Sequence, residues 1–366
     1  MSASSALSPN WPRSTSSVRR SAMRTWRPSS TLLSIRCQRN VLPSVPNLPT
    51  SGIGFARHDS DIREKSAPNL RPSTALLNRS PRSAVVHPRV FRSMFDKKYS
   101  SSIATAYIDA GEGPPVILGH GFLCDARIWT PQIAELSRRY RVIAPDLWGH
   151  GDSGALPRGV ANNRHVAEQY LALMDELGID KAAIVGLSFG GMWGAEMIFL
   201  QPDRVAALAL IGTYLGPEPE ASKQSYSQLM ETVRDAQGIP AAMQEQILRI
   251  LLAPATFETK PDVVAIVRHG MSQILSERLA DSVLPIGKMI FERRDAASDL
   301  VKIRCPCIVM TGLEDVPRPP REGEQMAELI GCPFIALPGA GHTPCLESPD
   351  AVTANILRLL RFAHWS

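Results

Sequence analysis

"AIVGLSFGGMWG", residues 183–194, sets a serine between an apolar run and a pair of glycines. A strand that simply ended in a loop would need no small residues on both sides of Ser188. Gly186-Leu187-Ser188-Phe189-Gly190 fits G-x-S-x-G, a pattern with meaning only between a strand and a helix. Here "AAIVGL" reads as a strand covered on both faces and "GMWGAEMIFLQ" as a helix. The serine then stands on a sharp turn with unfavourable backbone angles. Side chains two residues to either side would collide where strand and helix pass, and glycine removes the clash. The turn lifts the hydroxyl above the sheet, and the following helix aims free N–H groups at the same place. Ser188 is therefore the expected nucleophile; the bland alternative is a capping serine.

Working outward, the chain alternates strand and helix. "IATAYIDAG" reads as an outer strand and Gly111-Glu112-Gly113 as a hairpin turn. "PPVILG", "RVIAPD", "RVAALALIG", "CIVMTG" and "FIALPG" follow as strands. "IWTPQIAELSRRY", "HVAEQYLALMDELGI", "REGEQMAELI" and "SPDAVTANILRLLRF" read as helices, the last with Ser348 as N-cap and Pro349 in the first turn. This order predicts an α/β fold: a mostly parallel central sheet of about eight strands with helices on both faces. Residues 214–300 break the rhythm with about four helical patterns and no clear strand. They predict a helical cap over the carboxyl edge of the sheet, where ligands bind in such folds. The core is then 94–213 and 301–366.

A serine hydroxyl needs a base. "LPGAGHTPCLESPD" puts His342 in a small-residue loop after the last strand. His165, His269 and His150 fit worse, and His120 is expected to brace a loop. "IVMTGLEDVPRPP" supplies an orienting carboxylate, Asp315 by preference and Glu314 as the fallback. The chain order nucleophile, acid, base is the one stated for this kind of sheet. For the developing oxyanion, backbone N–H groups of Phe189 and Phe122 are expected, with Leu123 an alternative to Phe122. Trp129, Trp148 and Trp193 fall near strand ends and are candidate pocket walls, although large aromatics more often serve the core. Glu218 and Glu220 could hold a substrate amine in an aminopeptidase reading. Cys124 and Cys345 read as packing residues.

Residues 1–93 stand apart. They hold 15 Lys/Arg against 3 Asp/Glu, with no acid before Asp59, so that a whole-chain charge of +5 leaves the remainder 7 negative. A Ser/Arg/Pro-rich segment cannot bury enough apolar surface to offset chain entropy, and disorder is expected. Two readings compete: an organelle transit peptide, or an upstream extension of a protein that starts at Met94. Location is expected to be cytoplasmic, or mitochondrial or another organelle if the leader is a transit peptide. The mildly acidic body offers no nucleic-acid groove. Its longest nearly apolar run, "VAALALIGTYLG", is shorter than the roughly 20 residues a membrane span needs. The six cysteines form no dense framework and are expected to be free thiols. Cys305 and Cys307 lack partners at zinc spacing, so neither metal nor cofactor is expected. Nothing in the pattern speaks to oligomeric state.

Together "GHGF", "DLWGHGDSG", "GLSFGG", "GLEDVPRPP" and "GAGHTPCLESPD" resemble the α/β-hydrolase superfamily, in its esterase- and lactonase-like branch with a helical cap. The resemblance covers about residues 100–366. It implies a serine hydrolase acting on a small, largely apolar ester or lactone through an acyl-enzyme. A serine at the elbow argues against the dehalogenases and epoxide hydrolases of this fold, which carry a carboxylate there. Thioesterase, cofactor-free haloperoxidase and carbon–carbon bond hydrolase chemistry on the same three residues remain alternatives. So does a non-catalytic receptor or scaffold.

Overall fold

The computed structural model describes residues 95–365. The expectations for residues 1–93 lie outside this range. Eight strands form one sheet: β1 (Lys97–Tyr99), β2 (Ala106–Ala110), β3 (Pro115–Gly119), β4 (Arg141–Pro145), β5 (Ala182–Leu187), β6 (Val205–Ile211), β7 (Cys307–Gly312) and β8 (Phe334–Leu337). Their order is β1-β2-β4-β3-β5-β6-β7-β8. Pairing is antiparallel for β1 with β2 and β2 with β4, and parallel from β4 to β8.

The hairpin expected at Gly111–Gly113 does not form, because β4 lies between β2 and β3. The turn instead packs on the carbonyls of Ser137, Arg139 and Tyr140, so closely that a side chain at Gly111 or Gly113 would strike them. The short edge strand β1 went unread in the sequence, since "KKY" carries no apolar alternation.

Successive residues of the central strands enter opposite cores, as a period of two demands. Ile184 and Leu208 join one cluster with α2 (Asn163–Glu176) and α3 (Phe189–Leu200). Val185 and Ala209 join the other with α1 (Thr130–Leu136) and the C-terminal helix Pro349–Phe362. Apolar runs such as "AAIVGL" thus reflect burial on both faces, and every residue of β5 is buried. Ser348 occupies the N-cap of the last helix without a side-chain capping bond, and Pro349 begins that helix.

Between β6 and β7 the chain forms α4 (Glu220–Asp235), α5 (Ala241–Leu251), α6 (Pro261–Ser272) and α7 (Leu284–Phe291). Single turns at Thr256–Thr259 and Ser276–Arg278 and a π-helical turn at Leu279–Val283 link them. The fourth helical pattern of the sequence is therefore broken, with Pro285 in the first turn of α7.

Candidate active site

Ser188 sits at φ 53°, ψ −115°, between β5 and α3. A non-glycine residue held there carries on the order of 1–3 kcal/mol of strain. Three contacts pin it: its amide donates to Ile211 O at 2.8 Å, and its carbonyl accepts from the Gly191 amide at 3.0 Å and the Met192 amide at 3.2 Å. The flanking glycines are demanded by close approach. A Cβ on Gly186 would lie 2.3 Å from the Gly190 carbonyl carbon, and one on Gly190 would lie 2.1 Å from Gly119 O.

His342 lies in the loop after β8. Its Nδ1 stands 2.9 Å from Asp315 Oδ2 and 3.0 Å from Oδ1. Asp315 also accepts the Arg318 amide at 2.8 Å. It is buried, whereas Glu314 is exposed. In the neutral tautomer that donates from Nδ1 to the carboxylate, Nε2 is the acceptor nitrogen of the ring. Both groups pass over Gly212 at the end of β6, where a Cβ would lie 3.0 Å from Asp315 Oδ2 and 3.3 Å from His342 Nδ1.

The loop after β3 approaches from the other side: a Cβ on Gly121 would lie 3.2 Å from Ser188 Cβ. Two buried histidines fix this loop. His120 Nε2 accepts the Leu147 amide at 2.8 Å, so its Nδ1 carries the proton and donates to Gly121 O at 2.7 Å. His150 Nε2 accepts the Leu123 amide at 3.2 Å, and its Nδ1 donates to Trp148 O at 2.9 Å. Burial pushes His120 down to about 4 and His150 to about 3, keeping both neutral. In a planar trans peptide the N–H points opposite to the C=O. Pinning the Gly121 carbonyl to His120 therefore turns the Phe122 N–H away from that ring. The Leu123 amide is already engaged by His150. Neither Phe122 nor Phe189 donates its amide within the described residues.

Ser188, His342, Gly121 and Phe122 line one cavity of about 110 Å³. Its other walls are apolar and come largely from the helices between β6 and β7: Leu229, Met230 and Val233 of α4, Ile247 and Leu251 of α5, and Leu284 and Ile290 of α7. Tyr226 of α4 stacks on Phe291 of α7 with ring centroids 3.7 Å apart, and Phe291 meets Phe122 edge-on at 6.3 Å. Arg318 is the charged exception in the wall.

The three tryptophans do not line this cavity. Trp129, Trp148 and Trp193 are fully buried in the two cores. Trp193 and Trp148 both pack on Tyr170, at 4.3 and 5.5 Å between centroids. Closeness to a strand end in sequence did not separate side chains that face the sheet from those that face its edge. Glu218 is not free for a substrate amine: Arg293 and Arg318 both donate to its Oε2, at 2.6 and 2.5 Å. Glu220 is exposed at the start of α4, beside Lys223. Cys124 reaches the cavity, but burial pushes its thiol up to about 12, which makes it inert. The described cysteines are all free. Among the described residues no group of three or more His, Cys, Asp or Glu could hold a metal ion, and no helix is long and apolar enough to cross a membrane. Tyr226 and Phe291 were not singled out in the sequence; the amphipathic pattern of α4 was the available signal.

Many known proteins are similar to this chain in sequence or in fold. An esterase from Thermogutta terrifontis superposes with a TM-score of 0.66 at 33% identity, over 74% of this chain and 100% of that one. The dihydrolipoyllysine-residue acetyltransferase component of an acetoin cleaving system from Pseudomonas putida is 32% identical over 68% of this chain, which spans only 64% of that protein's length. The 3-oxoadipate enol-lactonase 2 of Acinetobacter baylyi is 26% identical over 70% of this chain and 92% of its own. Residues 116–355 match the pattern of one family along their whole length, and the chain is a member of that family, the alpha/beta hydrolases.

Proposed function

We propose that this chain is a serine hydrolase that cleaves small, largely apolar carboxylic esters or lactones through an acyl-enzyme. The observation that carries the reading is His342, with Nδ1 held on Asp315 and its ring lining the same apolar cavity as Ser188. In this reading Nε2 of His342 takes the Ser188 proton as Oγ attacks the carbonyl carbon. The tetrahedral oxyanion is met by the Phe122 and Phe189 amides. His342 then returns the proton to the leaving alcohol, and water repeats the sequence to free the acid. An oxyanion donor is worth about 3–4 kcal/mol of barrier. The helices of residues 214–300 act as the cap that excludes water and shapes the acyl site.

Size supports a short substrate. An apolar cavity of about 150 Å³ takes up one benzene, and this one is smaller. Acyl groups of a few carbons fit, as does a small lactone. The names of relatives agree, one an esterase and one an enol-lactonase. The test is labelling by a fluorophosphonate together with turnover of a panel of short aryl esters, thioesters and lactones. Ser188-dependent labelling and ester or lactone turnover are expected. Labelling with no turnover across the panel would favour the receptor reading, and preferred thioester turnover would move the substrate class.

A further inference from the structure

Glu347 follows His342 by five residues in "GHTPCLE". It is 0% exposed. Its Oε2 accepts the amides of Gly341 at 2.9 Å and Thr343 at 3.2 Å, the two residues that flank His342. Its Oε1 accepts the Ala253 amide at 2.7 Å and the Thr256 hydroxyl at 2.8 Å, both from the stretch after α5. The backbone completes the join. The His342 amide donates to Leu251 O at 2.7 Å, and Lys260 Nζ donates to Glu347 O. The two segments lie so close that a Cβ on Gly341 would stand 2.7 Å from Ala253 N. Leu251 itself lines the cavity.

Four donors converging on one side chain select a carboxylate. An ionised carboxylate is acceptor-only at both oxygens, whereas a glutamine amide must turn an NH₂ toward one donor pair. Buried donors left unpaired cost about 1–3 kcal/mol each. The group is therefore spent on holding three amides and a hydroxyl, and among the described residues no cation pairs with its carboxylate oxygens.

We infer that Glu347 is the positioning residue for the catalytic base: it clamps the amides on both sides of His342 to residues 251–256, so that base and substrate wall keep one register. The inference rests on the serine hydrolase reading. A misplacement of about 1 Å can cost roughly 100-fold in rate. Glu347→Gln should accordingly lower kcat for a short aryl ester by about 10–100-fold, with KM within about threefold. Fluorophosphonate labelling of Ser188 should slow in parallel. The control is Glu196→Gln, which removes a buried carboxylate paired with Arg294, outside the cavity lining. It should lower the melting temperature and leave kcat within about twofold, as a purely structural acid would. A folded Glu347→Gln protein with wild-type kcat overturns the inference.

Should Glu347→Gln fail to fold, amide exchange in the wild type decides. Gly341, Thr343 and Ala253 should exchange through one shared opening. Independent exchange of Ala253 overturns the clamp. Failure of the hydrolase reading looks different: the wild type itself would then turn over no member of the ester, thioester and lactone panel, whatever Glu347 does.

Discussion

From Ala182 to Ile198 every residue of β5, the turn and the first part of α3 is buried, whereas α4 buries Val233 alone. The first region holds a strained serine among backbone contacts that leave no room for a methyl group. The second lays one apolar stripe over a cavity and leaves the rest of its surface to water. Over-determined packing is what sustains an unfavourable backbone at a reacting group. A wall has only to be apolar and of suitable shape. Changes at the turn from Gly186 to Gly190 and in the wall should therefore differ in kind: chemistry or folding should fail at the turn, and substrate preference should drift in the wall.

The largest expected effect is on chemistry. Ser188→Ala should reduce ester turnover by about 10³–10⁶-fold and abolish fluorophosphonate labelling, with melting temperature unchanged or raised as strain is relieved. Residual turnover above a tenth of wild type would break the contrast at its root. Next comes packing. Gly190→Ala forces a carbon against the Gly119 carbonyl, and both are backbone. A loss of about 3 kcal/mol or more in urea unfolding is expected. A loss below 1 kcal/mol would mean that the turn is looser than its contacts.

A third test sharpens the comparison through pH. His120 and His150 have folded pKa values of about 4 and about 3, below the ordinary 6.5. The unfolded chain therefore binds the extra protons, and these two groups lower stability as pH falls through 6.5 toward 4. Asp146, which burial raises to about 6, acts in the opposite sense by taking up a proton in the folded state. A variant comparison cancels the groups held in common. His150→Gln should lose about 2 kcal/mol less than wild type between pH 7 and 4.5, each measured against its own value at pH 7. Parallel curves would falsify a neutral, buried imidazole at that loop.

The smallest effect belongs to the wall. Leu229→Ala and Val233→Ala should shift preference toward longer acyl chains by about threefold to tenfold in kcat/KM, since one methylene in an apolar pocket is worth about 1–3 kcal/mol. Labelling of Ser188 should stay within about twofold. Equal losses on all chain lengths would place these side chains outside the acyl site.

Much of this contrast was legible in the chain. G-x-S-x-G between an apolar run and a helix carries its own physical reason, because close approach of backbones demands glycine and can be read from spacing alone. The alternation of strands and helices fixed a mostly parallel sheet in the same way. The edge of the sheet was less readable. Register decides which strand lies beside which, and nothing in "AGEGPP" shows that β4 enters between β2 and β3.

The sequence by itself determined the fold class and the chain order of serine, acid and histidine, since local turn chemistry and the periodicity of burial are properties of neighbouring residues. Only the tertiary structure decided between Asp315 and Glu314 at the imidazole, moved the three tryptophans into the cores and gathered four donors on Glu347. Such choices depend on the direction in which a side chain leaves the backbone and on what meets it from segments as far away as Ala253. That information exists only once distant parts of the chain are packed together.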